Sequence, residues 1–137
     1  MKPAVLVLCT GNSARSQMAE GLFRHLLGDR FEVHSAGTRP SLVRPEAIAV
    51  MAELGIDISA HWSKSVDEFL GREFAYIFTV CDNAKESCPV FHCNAERIHW
   101  SFEDPAAVEG DQETRLGSFR QIRDQIKARV IQFASEI

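Results

Sequence analysis

In the stretch CTGNSARS (residues 9–16), Cys9 stands six places before Arg15, with only small or polar side chains between them. A thiol becomes a nucleophile when it ionises, and a guanidinium offers a planar fork to two oxygens of one anion. Gly11 is expected to turn the backbone through positive φ, so that successive N–H groups face inward as a nest. A helix starting at the end of this loop would add the positive end of its dipole. Such surroundings lower a thiol pKa from about 8.5 to roughly 3.5–7.5. Thr10, Gly11, Asn12, Ser13, Ala14, Arg15 and Ser16 therefore read as an oxyanion-binding loop, with Cys9 attacking what the loop holds. The plainer alternative is a buried cysteine at a strand end, followed by an exposed arginine. A glycine-rich nucleotide loop is a poor match, because no G-K-[ST] follows.

Three further residues carry chemistry. Cys81 and Cys88 are separated by six residues, and the polar run 82–87 between them suits an exposed loop or short helix where a switching thiol is reachable. As a zinc site the pair is poor: there is no C-x2-C, and His92, Cys93 or His99 would have to complete the set. Two unrelated core cysteines are the bland alternative. Asp104 precedes Pro105, and a positioned carboxylic acid there could protonate a leaving oxygen. Asp-Pro is also a common turn, and Glu103 is the neighbouring carboxylate.

The elements that must position these groups alternate. Ala4–Cys9 is a continuous apolar run, as for a strand covered on both faces. From Ala14 to about Leu27, Met18, Leu22 and Leu26 recur every four residues, a helix ended by Gly28-Asp29. Phe31–Ala36 reads as a second strand stopped by Gly37. Pro45–Leu54 reads as a helix with proline at its first position, ended by Gly55. Ala75–Cys81 is a third strand, Arg97–Trp100 a short fourth, and a long amphipathic helix closes the chain from about Thr114. This alternation implies a parallel sheet with right-handed crossovers, whose ligand sits beyond the carboxyl ends of the strands. Cys9 and Cys81 are then expected on the same rim. Trp62 and Trp100 are expected to pack rather than to touch substrate.

The chain has 137 residues, 45% hydrophobic and 25% charged, with a net charge of −4. That is one domain's worth of chain with a real core. Nothing favours nucleic acid, since a phosphate-tracking surface makes a domain basic. No apolar run nears the roughly 20 residues of a membrane span, and the N-terminal run is broken by Gly11, Asn12 and Arg15. The expected location is cytoplasmic, where structural disulfides among the four cysteines are not expected.

C-x5-R-S in this setting is similar to the phosphate loop of the low-molecular-weight protein tyrosine phosphatases. The longer string CTGNSARSQMAEG resembles the arsenate reductases of the same fold that are recycled by thioredoxin. The resemblance continues through HSAGT (34–38), GIDIS (55–59), VCDNAKESCP (80–89) and HWSFEDPA (99–106). It implies an α/β fold: a single three-layer domain over residues 1–137, with a four-stranded parallel sheet in order 2-1-3-4 flanked by helices. It also implies a relay. Cys9 attacks arsenic, Cys81 attacks the Cys9 sulfur as arsenite leaves, and Cys88 takes the disulfide as Cys81–Cys88. Thioredoxin then reduces that bond, although glutaredoxin or mycothiol serves related enzymes. Asp104 would be the acid. No bound cofactor or metal is implied, arsenate would be the substrate with phosphate or sulfate as analogues, and the chain is expected to be a monomer.

The departures are informative. Phosphatases usually carry Pro where this chain has Gln17, and an aromatic residue after Asp-Pro where it has Ala106. Both changes favour a small inorganic oxyanion over an aryl phosphate. Ala14 stands where many members have a second cysteine. Some arsenate reductases bind potassium through oxygens matching Asn12, Glu20 and Ser35, and Lys64 stands where their last carboxylate ligand would be. Lys64 is therefore expected to replace the cation and support the loop, and Cys93 to be incidental. Two other readings remain: a phosphatase using Cys9, Arg15 and Asp104, with Cys81 and Cys88 dispensable, and a non-catalytic oxyanion or redox-sensing module.

Overall fold

A computed structural model describes residues 2–81 and 95–137. Strands β1 (Ala4–Cys9), β2 (Glu32–Gly37), β3 (Tyr76–Thr79) and β4 (Glu96–His99) form one sheet in the order β2-β1-β3-β4. All pairings are parallel, with Val5 opposite both Val33 and Tyr76, and Thr79 opposite His99. β1 is central and buried along its whole length, as its unbroken apolar run requires.

Helices α1 (Arg15–Leu27), α2 (Pro45–Ala52) and α3 (Gln112–Glu136) flank the sheet. α1 buries Met18, Leu22, Phe23 and Leu27, and α3 buries Phe119, Ile122, Ile126, Val130 and Phe133. An aromatic cluster joins these layers. Phe78 of β3 lies with its ring centroid 5.0 Å from Phe23, 4.6 Å from Trp100 and 5.1 Å from Phe133. Such pairs contribute about 0.5–1.5 kcal/mol each beyond area burial.

The observed elements are shifted by a few residues from those expected, and two differences matter. β3 ends at Thr79, so Cys81 lies two residues beyond the strand, although Val80 still donates to Leu8 O at 3.0 Å. A short 3-10 helix, Val66–Phe69, was not expected from the hydrophobic pattern. Its signal was present as Ser65 and Glu68, which form a capping box. Trp62 also departs from expectation. It is 65% exposed, whereas Trp100 is buried.

Candidate active site

The loop after β1 is wrapped by the segment that leaves β2. Thr38 N–H donates to Cys9 O (3.3 Å), Arg39 N–H to Thr10 O (2.8 Å), Ser41 N–H to Gly11 O (3.1 Å) and Arg44 N–H to Ser13 O (2.9 Å). The Ser63 hydroxyl donates to Gly11 O as well, at 2.8 Å. Carbonyl and following N–H point opposite ways in a trans peptide, so carbonyls held outward turn the N–H groups inward. Among the described residues, no protein acceptor takes the N–H groups of Gly11 through Ala14. α1 starts directly behind them with no side-chain cap and no acidic residue in its first turn. An anion there meets a nest of donors and a helix N-terminus together.

The left-handed residue of this loop is Asn12, with φ 47°, rather than Gly11. That corrects the expectation from sequence. Asparagine tolerates this conformation better than most residues, and here its fully buried side chain is bonded throughout. Its amide donates to Ser16 Oγ (2.8 Å) and Ser35 Oγ (2.9 Å), while its oxygen accepts from Lys64 N–H (2.8 Å) and Gln17 Nε2 (2.9 Å). Gly37 is required for another reason. A Cβ there would sit 2.5 Å from Thr10 O and 2.9 Å from Asn12 N, so only glycine lets the end of β2 approach the loop.

Arg15 reaches across to the segment after β4. Its Nη1 donates to Phe102 O at 3.0 Å, and its Nη2 lies 3.9 Å from Asp104 Oδ2. Asp104 is half exposed and caps the 3-10 turn Pro105–Ala107 by accepting from Ala106 N–H at 3.0 Å. The fold thus brings Arg15 and Asp104 to one place from positions 89 apart in the chain.

Cys9 and Cys81 are both buried and not joined by a disulfide, and their side chains are in hydrogen-bond contact. The Thr10 hydroxyl lies 3.3 Å from the Cys81 sulfur. Contact with Cys81 and burial push the Cys9 thiol well above its ordinary value, against the pull of Arg15 and the Thr10 backbone. The lowered pKa expected from the loop alone is therefore not met. The physical reason is the second thiol. Two sulfurs in contact cannot both carry charge, so ionisation of Cys9 is disfavoured beside Cys81. Cys88 lies outside the described residues, as do His92 and Cys93.

Beneath the loop, Glu20 is buried among basic side chains. It accepts from the Ser35 hydroxyl and lies 3.0 Å from Arg24 Nη1, 3.5 Å from Lys64 Nζ and 3.7 Å from His61 Nε2. Lys64 is itself buried, donates to Trp62 O at 2.9 Å and lies over the Trp62 ring. Asn12, Glu20, Ser35 and Lys64 are thus brought together, with a lysine ammonium at the carboxylate. Among the described residues, no group of three or more His, Cys, Asp or Glu side chains is placed to hold a metal ion. Gln17 and His61 also belong to this network. In the sequence Gln17 stands out only as a departure from the phosphatases, and His61 carries no signal of a role.

Comparison with known proteins shows the family and the fold. The sequence profile described as low molecular weight phosphotyrosine protein phosphatase matches residues 4–137. A relative from Halalkalibacterium halodurans named arsenate reductase is 44% identical over 133 residues, covering 97% of this chain and 96% of its own. A solved structure described as an arsenate reductase in the phosphate binding state superposes with a TM-score of 0.79 at 34% identity, covering 100% of this chain and 99% of that one. A thioredoxin-dependent arsenate reductase from Corynebacterium glutamicum superposes at 0.74 with 26% identity, covering 98% of this chain and 61% of that one.

Proposed function

We propose that this chain, which belongs to the low molecular weight phosphotyrosine protein phosphatase family, is an arsenate reductase driven by a three-cysteine relay. The observation that carries the reading is the contact between Cys9 and Cys81 at an oxyanion loop. A phosphatase needs only the first of those thiols.

Arsenate sits in the nest of Thr10–Ser16 N–H groups, with Arg15 across two of its oxygens. The Cys9 thiolate attacks arsenic, and an oxygen leaves as water with a proton from Asp104. The Cys81 thiolate then attacks the Cys9 sulfur. The sulfur–arsenic bond breaks and its electron pair stays on arsenic, which departs as arsenite. Cys88 attacks Cys81, Cys9 leaves as thiolate, and the disulfide is now Cys81–Cys88. A thioredoxin dithiol reduces it by the same exchange chemistry. Phosphate and sulfate bind the loop as analogues. Hydrolysis of phosphate esters through Cys9, Arg15 and Asp104 is a weak side activity, since Ala106 offers no ring to an aryl group.

Asn12, Glu20, Ser35 and Lys64 support the loop without potassium. The protein acts as a monomer of one domain, in the cytoplasm, where the thiols stay reduced between turnovers. Among the described residues no helix is long and apolar enough to cross a membrane. The test is to treat reduced Cys88→Ser protein with arsenate and map disulfides by mass spectrometry. A trapped Cys9–Cys81 bond with one arsenite released per chain is expected. Free thiols throughout, with arsenate unchanged, would refute the relay.

A further inference from the structure

Gln17 is fully buried in the first turn of α1. Its Nε2 faces only acceptors: Asn12 O at 3.1 Å, Asn12 Oδ1 at 2.9 Å and Trp62 O at 3.0 Å. This fixes which end of the amide is nitrogen, so Oε1 points the other way, to His61 Nδ1 at 3.0 Å. An amide oxygen only accepts, so Nδ1 of His61 must carry a proton. The His61 ring is largely enclosed, with its other nitrogen toward Glu20. A straight line of contacts therefore runs from His61 through Gln17 to both the carbonyl and the side chain of Asn12. Asn12 is the residue whose positive φ turns the loop.

We propose that His61 and Gln17 are positioning residues that hold Asn12 in its left-handed conformation and so set the affinity of the loop for its oxyanion. Neither touches the anion. Without the brace, Asn12 relaxes for part of the time, and binding weakens by the fraction of loops that remain competent. The loss falls on ground state and transition state alike, so it belongs in KM and leaves kcat alone. The inference rests on the oxyanion-loop reading above, but not on arsenate being the natural substrate.

The experiment measures sulfate binding by calorimetry and arsenate kinetics in the intact chain, for wild type, Gln17→Met, His61→Ala and His61→Asn. Gln17→Met keeps the volume and removes every bond, and a roughly tenfold weaker sulfate affinity with kcat within twofold is expected. His61→Asn puts an amide nitrogen where Nδ1 was, and should restore most of what His61→Ala loses. Neutral wild-type His61 should show the Nδ1–H tautomer in long-range nitrogen–proton spectra, a reading that needs no variant to fold. Unchanged sulfate affinity in folded Gln17→Met, an Asn variant no better than Ala, or the Nε2–H tautomer would each overturn the brace. Sulfate binding with no arsenate turnover would refute the proposed function, while the variants still report on the brace. No sulfate binding by wild type would refute the loop reading and the brace together.

Discussion

Replacing Gly37 by alanine tests how tightly the loop is built. Gly37 has no positive φ, so the change adds no backbone strain and acts only through its new methyl group. That methyl would lie 2.5 Å from Thr10 O, 2.9 Å from Asn12 N and 3.0 Å from Asn12 Cβ. Ordinary contact begins near 3.4 Å, so loop backbone and strand end must part by about 0.9 Å. None of these atoms can swing aside, because Thr10 O is held by Arg39 N–H and Gly37 N–H by Lys64 O. Overpacking of this kind costs about 1–3 kcal/mol. If the loop absorbs it, oxyanion affinity falls by roughly 5–150-fold. Sulfate titration calorimetry and thermal unfolding separate the two places where the cost can appear. Gly71→Ala is the control, since nothing lies within 4 Å of a methyl there. A Gly37→Ala protein with wild-type sulfate affinity and wild-type melting temperature would show that β2 and the loop are not packed as described.

Other consequences are open to direct measurement. Asp104→Asn should lower the first arsenate-dependent step by about a hundredfold or more while sulfate still binds, because proton donation is lost and Arg15 keeps its bond to Phe102 O. Equal rates would remove Asp104 from the chemistry. The Cys9 thiol is raised above its ordinary 9.0, so the unfolded chain gives up this proton first. The stabilisation is complete below pH 9.0 and is lost as pH rises beyond it. Melting temperature under reducing conditions should therefore fall more steeply from pH 8 to 10.5 in wild type than in Cys9→Ser, and parallel curves would contradict the thiol contact. Exchange of sodium for potassium at fixed ionic strength should leave KM for arsenate unchanged, because Lys64 faces Glu20. Lys64→Met should cost roughly 3 kcal/mol of stability by leaving a buried carboxylate short of one partner. A severalfold potassium effect on wild type would refute the substitution.

What was legible in the sequence was local. The unbroken apolar run of β1 and the small-residue loop after it place Cys9 at a strand end without reference to anything else. Alternation of strand and helix puts Asp104 and Arg15 on one rim, as their 3.9 Å approach shows. Less legible were matters decided by residues far apart in the chain. Glycine is the default for a left-handed turn, yet Asn12 takes it, because Ser16, Gln17, Ser35 and Lys64 saturate its side chain from two elements and a loop. The upward push on the Cys9 thiol depends on Cys81, 72 positions away, and no reading of the loop alone could supply it. Trp62 looked like core by residue type. Its backbone is tied by Gln17 and Lys64 while its ring lies outward, which hydrophobicity could not foresee.

The central claim is that Cys9 begins a reduction completed by two further thiols. It is tested most directly by arsenate-dependent NADPH oxidation with thioredoxin and thioredoxin reductase, comparing wild type with Cys88→Ser. Sustained turnover in wild type, reduced to at most one turnover in the variant, is the predicted result. No turnover in wild type, or a variant as fast as wild type, would contradict the relay, and brisk aryl phosphate hydrolysis indifferent to Cys88 would return the loop to phosphatase chemistry.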